Sequence, residues 1–587
     1  MRKSNISLLI FLLFFNVSSF AKTFEVPILY WSMKIGGQVA MRKGFEEEIE
    51  AYNKKNPANP IKLIPYVAGE GRPGILKQIA QFEDAIKKKP AAIVIQPTDN
   101  STLTKGLQKA NSMNIPVFVY DQYILDGKLT SYVTSDNYQA GWDNGQYIDS
   151  LFPKGKELRL VVFEYPPVSS TTERVDGFFD ALREKGRKFV VLKRYNAVDP
   201  GSGAIAVKQF LQDFPEKGSV DAFFTVNDGG GLIIIKTLWE KGRREMRYAT
   251  VDGDPESVEN IKAKKTDIDS AQFCAEMGRE SARKLIAHFN NEKFPLKYFI
   301  PTFPVTEKTL KDYPGWMGRP IASVAAAAKS EAKIEEKKSM LPSFKSSSQE
   351  ILTLKIGVAP HCPYLCEKGP GVWGGYLYDI LKDLSRMHNF NLEIVSLPNS
   401  RLVSALQTRQ VSYIIVPAYL VRYLDNVRIA EPKLGVSFTG ALFAKGVKLD
   451  IVDKESLSKR KIVFADLGQE SDLNLPAADF SKAMKLTGAD VADRMIKMIL
   501  DHRVDLALGD YNVIRYTIAK TPQLNVQLQP TSMSGFNSLA LVSHPKSADF
   551  GNLPAHLKVW FDNARQSGKL DKILKNYNLT DWDIFNR

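Results

Sequence analysis

Short apolar runs alternate along this chain with longer stretches whose apolar positions recur every three or four residues. In the first part the runs predict strands at Ile28–Tyr30, Lys62–Pro65, Ala92–Ile95, Val117–Tyr120, Leu158–Phe163, Phe189–Leu192, Ala222–Val226 and Tyr248–Val251. The periodic stretches between them predict helices over Val39–Tyr52, Gly74–Lys88, Thr102–Ser112, Ala140–Ser150 and Glu173–Lys185. Alternation at this spacing implies right-handed crossovers and an α/β fold whose parallel sheets are covered on both faces. The pattern resumes later, with strands expected at Leu354–Val358, Leu392–Ser396, Tyr413–Val416, Lys461–Ala465, Leu506–Leu508 and Leu539–Val542, and a helix from Tyr376 to Leu384.

Between the two patterned parts, Ile321 to Glu350 reads IASVAAAAKSEAKIEEKKSMLPSFKSSSQE. Few large apolar side chains interrupt its alanine, lysine, glutamate and serine. Such a segment cannot bury enough apolar surface to offset its ordering entropy, which predicts a linker or a lone exposed helix. Residues 22–320 and 351–587 are then two modules, each long enough for its own core.

Composition changes this picture little. The 587 residues are 44% hydrophobic and 25% charged, ordinary for a folded protein. A net charge of +14 raises the question of nucleic acid. The basic residues lie along Lys-rich helix faces interleaved with acids, and no helix-turn-helix, RNP or Cys/His finger pattern accompanies them, so a solvated basic surface is the better reading. Met1-Arg2-Lys3, the apolar core Leu8–Phe15 and the small-x-small site Ser19–Ala21 read as a secretory signal peptide over residues 1–21, with export to a periplasm. No later run reaches membrane-span length, so no integral membrane segment is expected.

Of three cysteines, Cys362 and Cys366 lie in HCPYLC, where an oxidising compartment favours a local disulfide. A metal site with His361 is the alternative and lacks a fourth ligand; no metal or other cofactor is expected. Cys274 reads as buried. There is no GxSxG, HExxH or P-loop, and nothing pairs two carboxylates into a hydrolytic site, so the chain is read as a binder and not an enzyme.

In doubly wound sheets ligands lie beyond the carboxyl ends of the strands. Gln96, Asp121 and Gln122, Asn227 and Asp228, Asp252 and Gln272 follow successive strands of the first part. Carboxylates and amides in such numbers suit vicinal hydroxyls; each Asp or Asn could equally cap the next helix. Trp31 is a candidate stacking partner for an apolar sugar face or a core-edge tryptophan, and Trp142 a weaker one.

Together the segments IQPTDN, NIPVFVYDQ, ERVDGF, VNDGGGLIIIKTLWEKG, YATVDGDPESVENIK and DSAQ resemble the periplasmic sugar-binding proteins of the ribose-binding type. The resemblance implies that Asp121 grips sugar hydroxyls, that Arg174 is the arginine of the second lobe, and that Asn227, Asp252 and Gln272 are further polar contacts. Gln122 stands where ribose binders have arginine and Gln96 where they have asparagine. Trp31, Lys34 and Gln38 occupy the region of their paired phenylalanines. These departures point away from ribose itself. Quorum-signal receptors and repressor ligand domains share the shape; a signal peptide and the lack of a DNA-binding headpiece exclude the repressor.

The later part resembles the amino-acid-type (family 3) solute-binding proteins through LKIGVAP, WGGYLYDILKDL, SRLVSALQTRQVSYIIV, RIAEP, MILDHRVDLALGDYNV and SGKLDKILKNYNL. This implies Asp510 as the ammonium-binding aspartate and Tyr364 and Trp373 as wall aromatics. Arg422 is either the carboxylate clamp or a solvated loop charge. Tyr378 reads first as core. Lytic murein enzymes and sensor-kinase ectodomains share the architecture but need a catalytic domain or a membrane span that this sequence does not supply. The two resemblances imply an α/β chain of two tandem periplasmic-binding-protein modules, each with two doubly wound lobes and a hinged ligand cleft. They imply capture of a sugar-like ligand, with a second small solute in the C-terminal cleft, for an ABC-type transporter permease. A subunit read by a membrane histidine kinase or chemoreceptor is the alternative.

Overall fold

The computed structural model describes residues 23–166, 168–321, 352–452, 454–465, 483–487, 490–521, 523–531, 537–545 and 552–582. The expected signal peptide, and all but Ile321 of the expected linker, lie outside the described residues.

Twelve strands build the N-terminal half: β1 (Phe24–Tyr30), β2 (Ile61–Val67), β3 (Ile93–Ile95), β4 (Val117–Tyr120), β5 (Ser131–Ser135), β6 (Leu158–Glu164), β7 (Phe189–Asn196), β8 (Ala222–Thr225), β9 (Arg247–Asp252), β10 (Ile268–Ala271), β11 (Lys297–Ile300) and β12 (Phe303–Val305). Nine helices separate most of them: α1 (Gly36–Lys55), α2 (Gly71–Lys87), α3 (Thr104–Ser112), α4 (Asn137–Ser150), α5 (Ser169–Glu184), α6 (Pro200–Asp213), α7 (Asp228–Glu240), α8 (Pro255–Lys262) and α9 (Cys274–Phe289). The first lobe carries the sheet β11-β5-β4-β3-β1-β2 and the second β12-β10-β9-β8-β6-β7. All pairings are parallel except β10 with β12. Central strands such as β3 and β4 are buried on both faces, which is why they read as unbroken apolar runs.

The chain passes between these lobes three times, from β5 to α4, from β10 to α9 and from β11 to β12. Loops between strand and helix end in chemistry that starts the helix. Asp136 caps α4 by accepting from the Gln139 N–H, and Asp254, followed by Pro255, caps α8 through the Glu256 N–H.

The C-terminal half holds β13 (Thr353–Val358), β14 (Cys366–Gly369), β15 (Val372–Gly374), β16 (Asn391–Ser396), β17 (Tyr413–Pro417), β18 (Arg428–Ser437), β19 (Thr439–Ala444), β20 (Ile462–Ala465), β21 (Met484–Leu486), β22 (Leu506–Asp510), β23 (Val526–Pro530) and β24 (Asn537–Ser543). A third lobe has the sheet β16-β13-β17-β24-β18 and a fourth has β21-β20-β22-β19-β23. Both are mixed: β24 runs antiparallel to β17 and β18, and β19 antiparallel to β22 and β23. The chain crosses between these lobes twice, from β18 to β19 and from β23 to β24. Helix Tyr376–His388 buries Leu377, Ile380, Leu381 and Leu384 on one stripe and stops at left-handed Asn389. Cys362 and Cys366 are joined by a disulfide, and Cys274 is a buried free thiol. Among the described residues no helix is long and apolar enough to cross a membrane, and no group of three or more His, Cys, Asp or Glu is placed to hold a metal ion.

Candidate functional site

The carboxyl ends of β1, β3 and β4 in the first lobe face those of β9 and β10 in the second. Gln96, fully buried after β3, accepts from the Trp31 backbone N–H (3.3 Å) and donates from Nε2 to Asp121 Oδ2 (3.2 Å). One amide thereby fixes both the end of β1 and the Asp121 carboxylate. Asp121 takes a left-handed φ of 68°, a conformation that Asp tolerates better than most residues. Burial lifts its carboxyl to about 6, against the opposing pull of the Gln96 hydrogen bond and of Arg174.

The second lobe answers with Arg174 and Asp252. Arg174, on α5, is 4% exposed. It donates from Nε to Asn137 Oδ1 (3.0 Å) and from Nη1 to the Val226 carbonyl (2.6 Å) and Asp252 Oδ1 (3.0 Å). Gln272 Nε2 donates to the same Asp252 oxygen at 2.6 Å. The crossing of α4 and α5 places Arg174: a Cβ on Gly141 would lie 1.8 Å from the Arg174 carbonyl oxygen, so only glycine lets the helices approach this closely.

Asp252 sits at φ 134°, a conformation that L residues rarely adopt. The surroundings enforce it. The Gly253 N–H donates to both carboxyl oxygens of Asp269 (3.0 and 3.1 Å), and the Asp254 N–H to Asp228 Oδ2 (2.8 Å). Burial raises the carboxyls of both Asp228 and Asp269, the latter to about 6, and the Asp269 charge raises Asp228 further. Trp316 Nε1 donates to the Asp252 carbonyl at 2.8 Å, and its ring lies over the first turn of α1, where a Cβ on Gly36 would meet it at 2.7 Å.

The structure thus brings Gln96, Asp121, Arg174, Asp252 and Gln272 together, with Trp31 at the edge. Gln122 is used differently: its Nε2 donates to Ser170 Oγ (2.8 Å) and its Oε1 accepts from Ser169 Oγ (3.3 Å), both on the opposite lobe. Asn100 Oδ1 adds a third cross-lobe bond, from the Ser169 N–H at 3.2 Å. Asn227 spends its amide on the Val198 carbonyl and on capping α7 through the Gly230 N–H. Trp142 stacks on Tyr138 along α4. Asn137, Asp269 and Trp316 escaped the sequence reading. Asn137 follows β5, a strand whose polar SYVTS hid it, and Trp316 is remote in sequence from everything it touches.

In the C-terminal half Asp510 ends β22 and is buried. It accepts from Tyr364 Oη (3.0 Å to each oxygen), Ser437 Oγ (2.5 Å) and the Val513 N–H (2.9 Å), so its lone pairs are met by the chain itself. Trp373, on β15, is half-buried against the core of the third lobe. Arg422 is not a solvated loop charge: it is 6% exposed and paired with Asp176 of the second lobe, with a longer bond to Asn537 Oδ1 at 3.4 Å.

Residues 28–293 match the family model described as periplasmic binding protein domain. The ribose import binding protein RbsB of Bacillus subtilis is 26% identical over 234 residues, 40% of this chain and 71% of that protein. The multiple sugar-binding periplasmic receptor ChvE of Rhizobium radiobacter is 36% identical over 210 residues, 33% of this chain and 59% of its own length. A solved ABC transporter solute-binding protein of Agrobacterium vitis with bound allitol, 22% identical, covers 50% of this chain and 98% of its own, with a TM-score of 0.44.

Proposed function

We propose that this chain, whose N-terminal half is a type I periplasmic binding protein domain similar to ribose-binding proteins, captures a sugar-like polyol between its first two lobes for delivery to an ABC-type transporter. The convergence of Asp121 from one lobe with Arg174, Asp252 and Gln272 from the other carries this reading. Two carboxylates accept from hydroxyls, while a guanidinium and amides donate to hydroxyl and ring oxygens, so a neutral polyol finds both partners without any net charge of its own. Gln96 and Gln122, in place of the family's asparagine and arginine, favour a sugar other than ribose. The protein is an exported, periplasmic binder on this reading and performs no chemistry on its ligand.

For the C-terminal half we propose the amino-acid-type solute-binding architecture, its cleft bounded by Tyr364 and Asp510. A second reading for the whole chain is a receptor subunit read by a membrane histidine kinase or chemoreceptor. It is favoured by one observation, that the C-terminal half rests on both lobes of the N-terminal half.

The test is thermal shift of the full chain on a panel of pentoses, hexoses, inositols and amino acids. At least one sugar or polyol should raise the melting temperature as mass action requires, and Asp252→Asn should abolish that response. Stabilisation by amino acids alone, or recovery of a chemically altered sugar, would overturn the reading.

A further inference from the structure

Among the described residues the polar contacts between the two halves fall in two places, and the pairing is crossed. The first lobe meets the fourth: Tyr511 Oη donates to Asp126 Oδ2 (2.6 Å), Arg515 Nη1 to Asp126 Oδ1 (2.5 Å), and Arg72 pairs with Glu455 (3.5 Å). The second lobe meets the third. Arg422 forks onto Asp176, Arg183 Nη1 donates to the carbonyls of Arg422 (2.8 Å) and Leu424 (3.0 Å), and Tyr423 Oη donates to Glu164 Oε2 (2.6 Å). Tyr423 also lies edge-on to Phe179 and under the Arg194 guanidinium.

Four lobes joined by two hinges and two docks form a closed ring. In such a ring a rotation at one hinge must be matched at the other, or a dock must break. The contacts are placed to transmit that motion. The segment after β4 carries in sequence Asp121 of the candidate site, Gln122 that bonds across the first cleft, and Asp126 of the dock. Helix α5 likewise carries Ser169 and Ser170 of the cross-lobe bonds, Arg174 of the site, and Asp176 and Arg183 of the other dock. On the receiving side, Asp510 bonds across the second cleft to Tyr364, and the next residue, Tyr511, is the one docked on Asp126. Both clefts are bonded shut in the same docked arrangement.

We propose that the C-terminal half reads the hinge state of the N-terminal half: opening of the first cleft is delivered through Asp126 and Asp176 as opening of the second. Arg422, held by Asp176, then serves as a dock for the chain's own carboxylate. This rests on the reading of the N-terminal half as a hinged binder but not on the identity of its ligand.

The experiment therefore uses no ligand. In the full chain, spin labels at Met387→Cys and Met484→Cys, both exposed, report the distance between lobes three and four. Labels at Leu76→Cys and Ile205→Cys report lobes one and two. The native cysteines are bonded or buried. Gln122→Ala with Ser170→Ala releases the first cleft, and a longer-distance population should appear for both label pairs. Adding Asp126→Ala and Asp176→Ala, with circular dichroism confirming the fold, should restrict the change to the first pair. Movement of the first pair alone with the docks intact, or of neither pair, overturns the proposal. Failure of every sugar in the thermal-shift panel would refute the ligand reading and leave this result standing.

Discussion

Replacing Asp121 by asparagine should make the free protein more stable while removing its sugar response. The Asp121 carboxyl is raised to about 6 by burial, from an ordinary value of about 3.9. Two pH units correspond to about 3 kcal/mol. The sign follows from proton uptake. Below pH ~4 both folded and unfolded chains hold the proton and nothing is lost. As pH rises to about 6 the unfolded chain releases its proton first, so stability falls; above that the loss is constant. Asparagine keeps the left-handed backbone and can still accept from Gln96 Nε2, but its buried NH₂ needs a partner, which returns about 1 kcal/mol of the gain. Urea melts of the N-terminal transition should show Asp121→Asn more stable than wild type by about 1 to 3 kcal/mol at pH 7.5 and equal to it near pH 4. A variant less stable at pH 7.5, or a difference that ignores pH, would refute the reasoning that burial strains this carboxylate.

Three further outcomes follow from other parts of the first two lobes. Trp316→Phe keeps a ring over Gly36 but loses the 2.8 Å bond to the Asp252 carbonyl; titration calorimetry with the sugar that gives the thermal shift should show affinity reduced about fivefold, the effect of one hydrogen bond. Gly141→Ala should cost about 3 kcal/mol or more in urea melts and weaken binding too, because α4 and α5 must separate and carry Arg174 away; wild-type stability would mean the crossing has slack. Asp221 is raised by burial, but Arg159 and Lys156 more than offset that and leave it at about 2. Its contribution is present above pH ~4 and lost as pH falls through 2, so Asp221→Asn should cost about 2 kcal/mol at pH 7 and only about 0.4 kcal/mol at pH ~2, read by urea melts at both.

Strands were legible where both faces are buried. β3, β4 and β8 read as apolar runs because helices cover them on either side. β5 and β10 are just as buried but carry Ser, Thr and Asp, and Thr134, Asp269 and Ser270 are bonded by residues distant in sequence, so no local pattern announces these strands. β18 and β23 lie at sheet edges, where β18 can hold Glu431 and Pro432 in an irregular stretch of its pairing with β24. The site was legible to the extent that strand ends were: Asp121, Asp252 and Gln272 came from position, and Arg174, on α5, only from the family resemblance. What position could not separate was a residue facing a ligand from one facing the other lobe, as Gln122 does, or a helix cap, as Asn227 is. Arg422 was beyond reach for a different reason. Its partner Asp176 belongs to another lobe, and no pattern within either half encodes a contact between halves.

The chemistry of the two docks bears on what joining the halves accomplishes. Each centres on an N-terminal acid, Asp126 or Asp176, met by C-terminal arginine and tyrosine groups. Part of the chain's net positive charge is thus committed to its own acids and not to an external polyanion. Partly buried ion pairs contribute little net affinity compared with an apolar interface of the same size, yet removing one partner leaves a costly unpaired charge. On one chain the connection between them acts as an effective concentration on the order of mM, enough to keep modest docks engaged. The pairs sit beside apolar contact, since one buried cluster includes Leu125 and Tyr132 of the first lobe with Phe438 and Tyr511 of the C-terminal half, and Tyr423 packs on the core of the second lobe. Paired charges within tethering distance can let one dock yield while the other holds, and that is the property a hinge reader requires.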